Sequence, residues 1–174
     1  MLGAFAFIKI IIHICTLYLG PYGYFRDEFY YLDCAANLSW GYVDNPPLAP
    51  FILSLVRATV GESMLAVRLP AILAGGGTVF MAGLIAAELG GGRFAQGLAC
   101  LSVICAPVFL GMSSFFSMNP IDYLLWAMAA YILVRIIKTD NARLWLWFGV
   151  VAGLGLQNKL SMRSLAGLWR RPFC

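Results

Sequence analysis

Long apolar runs separated by short polar breaks fill most of this chain. Residues 2–20 are apolar apart from Lys9 and His13, and further runs cover about 64–87, 94–112, 119–137 and 144–160. Each approaches the ~20 residues that a helix needs to cross a hydrocarbon core about 30 Å thick. The pattern therefore predicts an all-α membrane protein with about five transmembrane helices. Lys9 and His13 stand four residues apart, on one face of the first span, and ionisable groups in spans usually face a bundle interior. No convincing small-residue cleavage site follows that first run, so it is read as a retained span rather than a signal peptide.

Residues 21–62 break the pattern, being too polar to span. Asp27 is placed to cap a helix running to about Trp40, in which Phe25, Phe29, Leu32 and Ala36 recur at helical spacing while Asp33 and Asn37 share another face. Pro46 and Pro47 interrupt the chain and hold Asn45 extended. A second amphipathic helix is predicted over about Leu48–Val60, with Phe51, Ile52, Leu55 and Val56 on its apolar side. Two such helices between spans are expected to lie in the membrane interface. Gly75-Gly76-Gly77 falls inside the second span, where small residues allow close helix packing. Gly90-Gly91-Gly92 reads as a tight turn.

Composition agrees with the pattern. Of 174 residues, 61% are hydrophobic and 11% charged, against about a quarter charged in soluble domains. The net charge of +4 comes from scattered basic residues that form no basic face, so no nucleic-acid partner is expected. Cys15, Cys34, Cys100, Cys105 and Cys174 make neither a C-x-x-C pair nor a zinc spacing and read as small hydrophobes. Basic residues gather after the second and fourth spans (Arg93; Arg135, Lys138, Arg143), which makes that side cytoplasmic by the positive-inside rule. The acidic loop and the Ser113–Asn119 turn then face outward, on the periplasmic or extracellular side of an inner (plasma) membrane.

Five of the eight acidic residues, Asp27, Glu28, Asp33, Asp44 and Glu62, fall within that loop. A carboxylate at the membrane surface suits a general base acting on an acceptor hydroxyl or amine. Asp27 and Asp44 together also suit a hard divalent cation held by oxygen ligands. The competing explanation is a helix start whose acidic residues favour the helix dipole. Asp122 opens the fourth span on the same side, and Asn158-Lys159 closes the fifth, where a cation meets lipid phosphates.

The runs Tyr24-Phe25-Arg26-Asp27-Glu28 with Tyr30-Tyr31, and Trp40-Gly41-Tyr42-Val43-Asp44-Asn45-Pro46-Pro47-Leu48, resemble the first outer loop of bacterial glycosyltransferases related to the dolichyl-phosphate-mannose protein mannosyltransferases. Val67-Arg68-Leu69-Pro70, Phe116-Ser117-Met118-Asn119 with Asp122, and Gly153-Leu154-Gly155-Leu156 with Asn158-Lys159 extend the resemblance over about residues 18–162. It implies the N-terminal part of a C-type glycosyltransferase fold. It also implies a polyprenyl-phosphate-linked sugar donor and a glycan, lipid or protein acceptor, with transfer on the non-cytoplasmic face. Asp27, with Glu28, becomes the catalytic candidate. Asp44, Asn45, Asn119, Asp122 and Lys159 become substrate-binding candidates, and Asp27 with Asp44 the candidate ligands of a divalent metal. Family members are longer than this chain, and residues 163–174 depart from them as a truncated or frameshifted gene would. An inactive membrane remnant is therefore one alternative. A transporter or channel fragment is another, although that would call for a charged midplane site.

Overall fold

The computed structural model describes residues 1–20 and 22–164. Among the described residues eight α-helices follow one another: α1 (Leu2–Leu19), α2 (Arg26–Ala36), α3 (Leu48–Thr59), α4 (Met64–Glu88), α5 (Arg93–Cys105), α6 (Pro107–Met112), α7 (Met118–Thr139) and α8 (Arg143–Asn158). A 3₁₀ turn, Leu160–Met162, follows the last. The protein is an all-α membrane protein, as the apolar pattern predicts. Three helices, α1, α4 and α7, are long and apolar enough to cross a bilayer. The expected fourth span is divided, because Pro107 has no N–H to continue α5 and holds Ala106 extended (φ −66°, ψ 122°). The fifth is α8, whose 16 residues rise about 24 Å, short of a full core.

Helix α4 is the centre of the bundle and packs against α1, α5 and α7, while α8 packs on α7 and α2 on α3. Its glycines make this possible. A Cβ on Gly76 would stand 2.9 Å from Ile10 of α1, one on Gly77 3.0 Å from Leu124 of α7, and one on Gly75 2.7 Å from the Ser113 hydroxyl. Three neighbours thus approach one turn of backbone from three directions, the close packing expected of small residues in a span. Gly90 takes a positive φ of 89° in the turn between α4 and α5. On α1, Lys9 and His13 are both buried on the side that faces the bundle.

The outer loop forms two helices around the Pro46-Pro47 break, with boundaries and faces that differ from expectation. Phe25, not Asp27, caps α2, because the Glu28 carboxylate reaches back to accept the Phe25 N–H at 2.7 Å. The helix ends at Ala36 rather than near Trp40. There the Tyr42 hydroxyl donates to the Cys34 carbonyl at 2.8 Å and folds the chain back. The buried face of α2 is Glu28, Tyr31, Cys34 and Ala35, whereas Phe25, Phe29 and Ala36 are exposed. On α3, Ala49, Pro50 and Leu53 face inward, and Phe51 and Leu55 project away. The apolar stripes read from sequence are thus largely the outward ones, free to meet lipid. The inward faces join one core running from α2 and α3 through Val67 and Ala74 of α4 to Phe116, Ile121 and Leu125 at α7.

Candidate active site

A buried ion pair fixes the start of α2. Arg68, one turn into α4, donates from Nε to Glu28 Oε1 at 2.8 Å and from Nη2 to Oε2 at 2.7 Å. Each carboxylate oxygen accepts one backbone N–H as well: Phe116 on Oε1 at 3.0 Å and Phe25 on Oε2 at 2.7 Å. Arg68 Nη2 also donates to the Gly23 carbonyl at 2.8 Å. The loop before α2, helix α4 and the turn before α7 are therefore tied to one carboxylate with no exposed surface. The fork of a guanidinium suits this bidentate geometry.

Asp27 and Glu28, paired in the sequence, are separated by this arrangement. Asp27 keeps 46% of its side chain exposed and, among the described residues, pairs only with the open Arg26 guanidinium, at 3.4 Å. It shares one side of α2 with Tyr30, Tyr31 and Cys34, at the i, i+3, i+4 and i+7 spacings. Burial pushes the Tyr31 hydroxyl above its ordinary value, with smaller contributions from Tyr30 and from the Asp27 charge, against a lowering hydrogen bond from Met118. That bond is the Met118 N–H donating to Tyr31 Oη at 3.3 Å. The neighbouring Tyr30 hydroxyl is raised above its ordinary value, first by partial desolvation and then by Cys34, with a smaller contribution from the Asp44 charge and a lowering one from the Asn45 side chain. The Tyr30 and Tyr31 rings are in contact, with centroids 5.7 Å apart. Asp44 is exposed, while Asn45 is buried with its backbone carbonyl accepting the Tyr42 N–H at 3.0 Å.

The remaining candidates meet where α7 begins and α8 ends. Ser117 caps α7 by accepting the Asn119 N–H at 3.3 Å. Lys159 Nζ donates to Asn119 Oδ1 at 2.9 Å. Asp122, one turn further and buried, accepts the Ser161 hydroxyl at 2.9 and 3.0 Å on its two oxygens, and Trp126 Nε1 donates to that hydroxyl at 3.3 Å. Asn158 Nδ2 donates to the Met118 carbonyl at 2.9 Å. Met118 therefore joins the two groups: its N–H binds Tyr31 of the loop and its carbonyl binds Asn158 beside Lys159.

Arg68, Tyr31 and Ser161 carry this geometry without having been singled out for it by sequence reasoning. An arginine inside the apolar run 64–87 was the available signal, since such a charge needs a partner. No group of three or more His, Cys, Asp or Glu side chains suited to a metal occurs among the described residues; the two candidate ligands, Asp27 and Asp44, are the number of carboxylates with which Mg²⁺ is commonly held alongside a substrate phosphate.

Residues 44–166 match the family model of the dolichyl-phosphate-mannose-protein mannosyltransferases. The match takes in Asp44, Asn45, Arg68, Asn119, Asp122 and Lys159 and begins after Asp27 and Glu28. Neither a curated protein nor a solved structure matches the chain.

Proposed function

The chain belongs to the dolichyl-phosphate-mannose-protein mannosyltransferase family, and on that premise we propose that it transfers a sugar from a polyprenyl-phosphate donor to an acceptor on the non-cytoplasmic face, with Asp27 as the base. In this reading the Asp27 carboxylate takes the proton of an acceptor hydroxyl. The acceptor oxygen forms its bond to the anomeric carbon as the carbon–oxygen bond to phosphate breaks, and polyprenyl phosphate leaves with the bonding electrons. Such a base typically contributes about 10²–10⁴-fold to the rate. The observation that carries the assignment is the division of labour between adjacent carboxylates. Glu28 is sealed by four donated hydrogen bonds and holds the helix, which leaves Asp27 beside it open at a fixed position.

Lys159 is the proposed contact for the donor phosphate. Its ammonium has three donors, and Asn119 takes one of them. Asp122 has the role of a positioning residue, holding Ser161 and so the chain that follows Lys159. Glu28 is likewise assigned to positioning. The reading is tested by supplying membranes containing this chain with radiolabelled polyprenyl-phosphate mannose and following label transfer. Chain-dependent appearance of label in a product other than the donor supports it. Label that stays in the donor, while the chain is folded and inserted, contradicts it.

A further inference from the structure

Two adjoining cavities lie between the outer loop and the end of α8, and neither is lined by the clamp residues Glu28 and Arg68. The first, of about 480 Å³, is an apolar groove walled by Leu38, Trp40, Pro47, Leu48, Phe51 and Leu154. The second, of about 400 Å³, shares Trp40, Pro47 and Gln157 with it and is more polar than the first, with Asp44, Asn45 and Arg163 among its lining residues. Asn45 is 7% exposed. Its Oδ1 has no hydrogen-bond partner among the described residues. A buried acceptor left without a donor is costly, so the site is built for a group that brings a hydrogen.

The form of the cavities narrows the ligand. An apolar groove opening into a polar pocket suits an amphiphile whose chain lies against Leu48, Phe51 and Leu154 and whose head enters beside Asn45. A purely anionic head group would meet Asp44, and a purely cationic one would meet Arg163. Hydroxyls satisfy both, because they donate to Asn45 Oδ1 and the Asp44 carboxylate and accept from the Arg163 guanidinium. We propose that the groove and pocket bind a membrane amphiphile with a neutral, polyhydroxylated, sugar-like head group.

The test uses the full chain in nanodiscs and a photoreactive alkyl glycoside carrying a diazirine in its alkyl chain. Labelling is expected on peptides containing residues 47–51 and 154–157. It should fall at least several-fold in Phe51→Glu and in Asn45→Leu, and persist in Asp27→Asn. A matched photoreactive alkane without the head group should label Asn45→Leu as well as it labels the parent, which separates loss of the head-group contact from misfolding. Labelling elsewhere, or labelling by the glycoside that Asn45→Leu leaves unchanged, would overturn the proposal. So would displacement of the glycoside by polyprenyl phosphate but not by unlabelled alkyl glycoside, which would make the groove a donor-chain site. Because none of these readouts requires transfer, a chain that binds the glycoside yet transfers nothing would contradict the enzymatic reading alone.

Discussion

Arg68 of α4 and Glu28 of α2 form a bidentate pair, at 2.8 and 2.7 Å, across 40 residues of sequence in a position closed to solvent. Removing either partner leaves the other charge buried alone, at a cost of about 3–5 kcal/mol. Arg68→Leu and Glu28→Gln are therefore expected to unfold in detergent at markedly lower temperature than the parent. Arg68→Lys should recover little, because an ammonium cannot reproduce the guanidinium fork. Thermal unfolding followed by aggregation or fluorescence checks this. An unshifted transition in both variants would mean that the clamp does not hold the loop.

The glycine turn of α4 sets a second expectation. A side chain at Gly76 must displace Ile10 of α1, which its Cβ would approach to 2.9 Å. Gly76→Val should cost about 1–3 kcal/mol as overpacking and loosen α1 from the bundle. Disulfide trapping between cysteines placed on α1 and α4 would show reduced efficiency; unchanged trapping and unchanged stability would rule the packing role out.

Orientation can be tested directly. Ser39 and Ala142 are both exposed, the first in the acidic loop and the second beside the basic turn between α7 and α8. In a background without reactive native cysteines, Ser39→Cys should react with an impermeant thiol reagent in intact cells and Ala142→Cys should not. The reverse labelling would place the loop, and any transfer there, on the cytoplasmic side.

Lys159 makes a prediction about the donor rather than the chemistry. If its ammonium meets the donor phosphate, Lys159→Gln should raise the donor KM roughly tenfold or more, since a charge-assisted hydrogen bond is worth about 1.5–3 kcal/mol. The acceptor KM should move little. A donor KM equal to the parent's, with the stability unchanged, would remove Lys159 from the site.

The helical class, the glycine packing and the two helices flanking Pro46-Pro47 were legible in the sequence because apolar spacing and chain breakers act locally. The face of α2 was not. Phe25, Phe29 and Ala36 spell an amphipathic stripe, but the helix is turned by Glu28, whose partner Arg68 lies beyond the Pro46-Pro47 break and α3. A charge pair formed only in the tertiary structure outweighs an apolar stripe that can be covered by lipid instead of protein. The meeting of Asn119 with Lys159 was foreshadowed, since both end apolar runs on the same side. The junction through Met118 was hidden, because backbone groups leave no trace in residue identity. The break at Pro107 divides an apolar run that hydropathy alone reads as continuous.

Asp27, not Glu28, is assigned here as the base. Asp27→Asn removes the charge, keeps the shape, and leaves the clamp intact, because none of the clamp's hydrogen bonds is made by Asp27. The decisive measurement is the rate of sugar transfer by folded, membrane-inserted Asp27→Asn beside the parent, with thermal stability recorded on the same samples. A rate lower by about 10²–10⁴-fold is expected, at an unfolding temperature close to the parent's. Transfer near the parent rate by a stable Asp27→Asn protein would contradict that assignment.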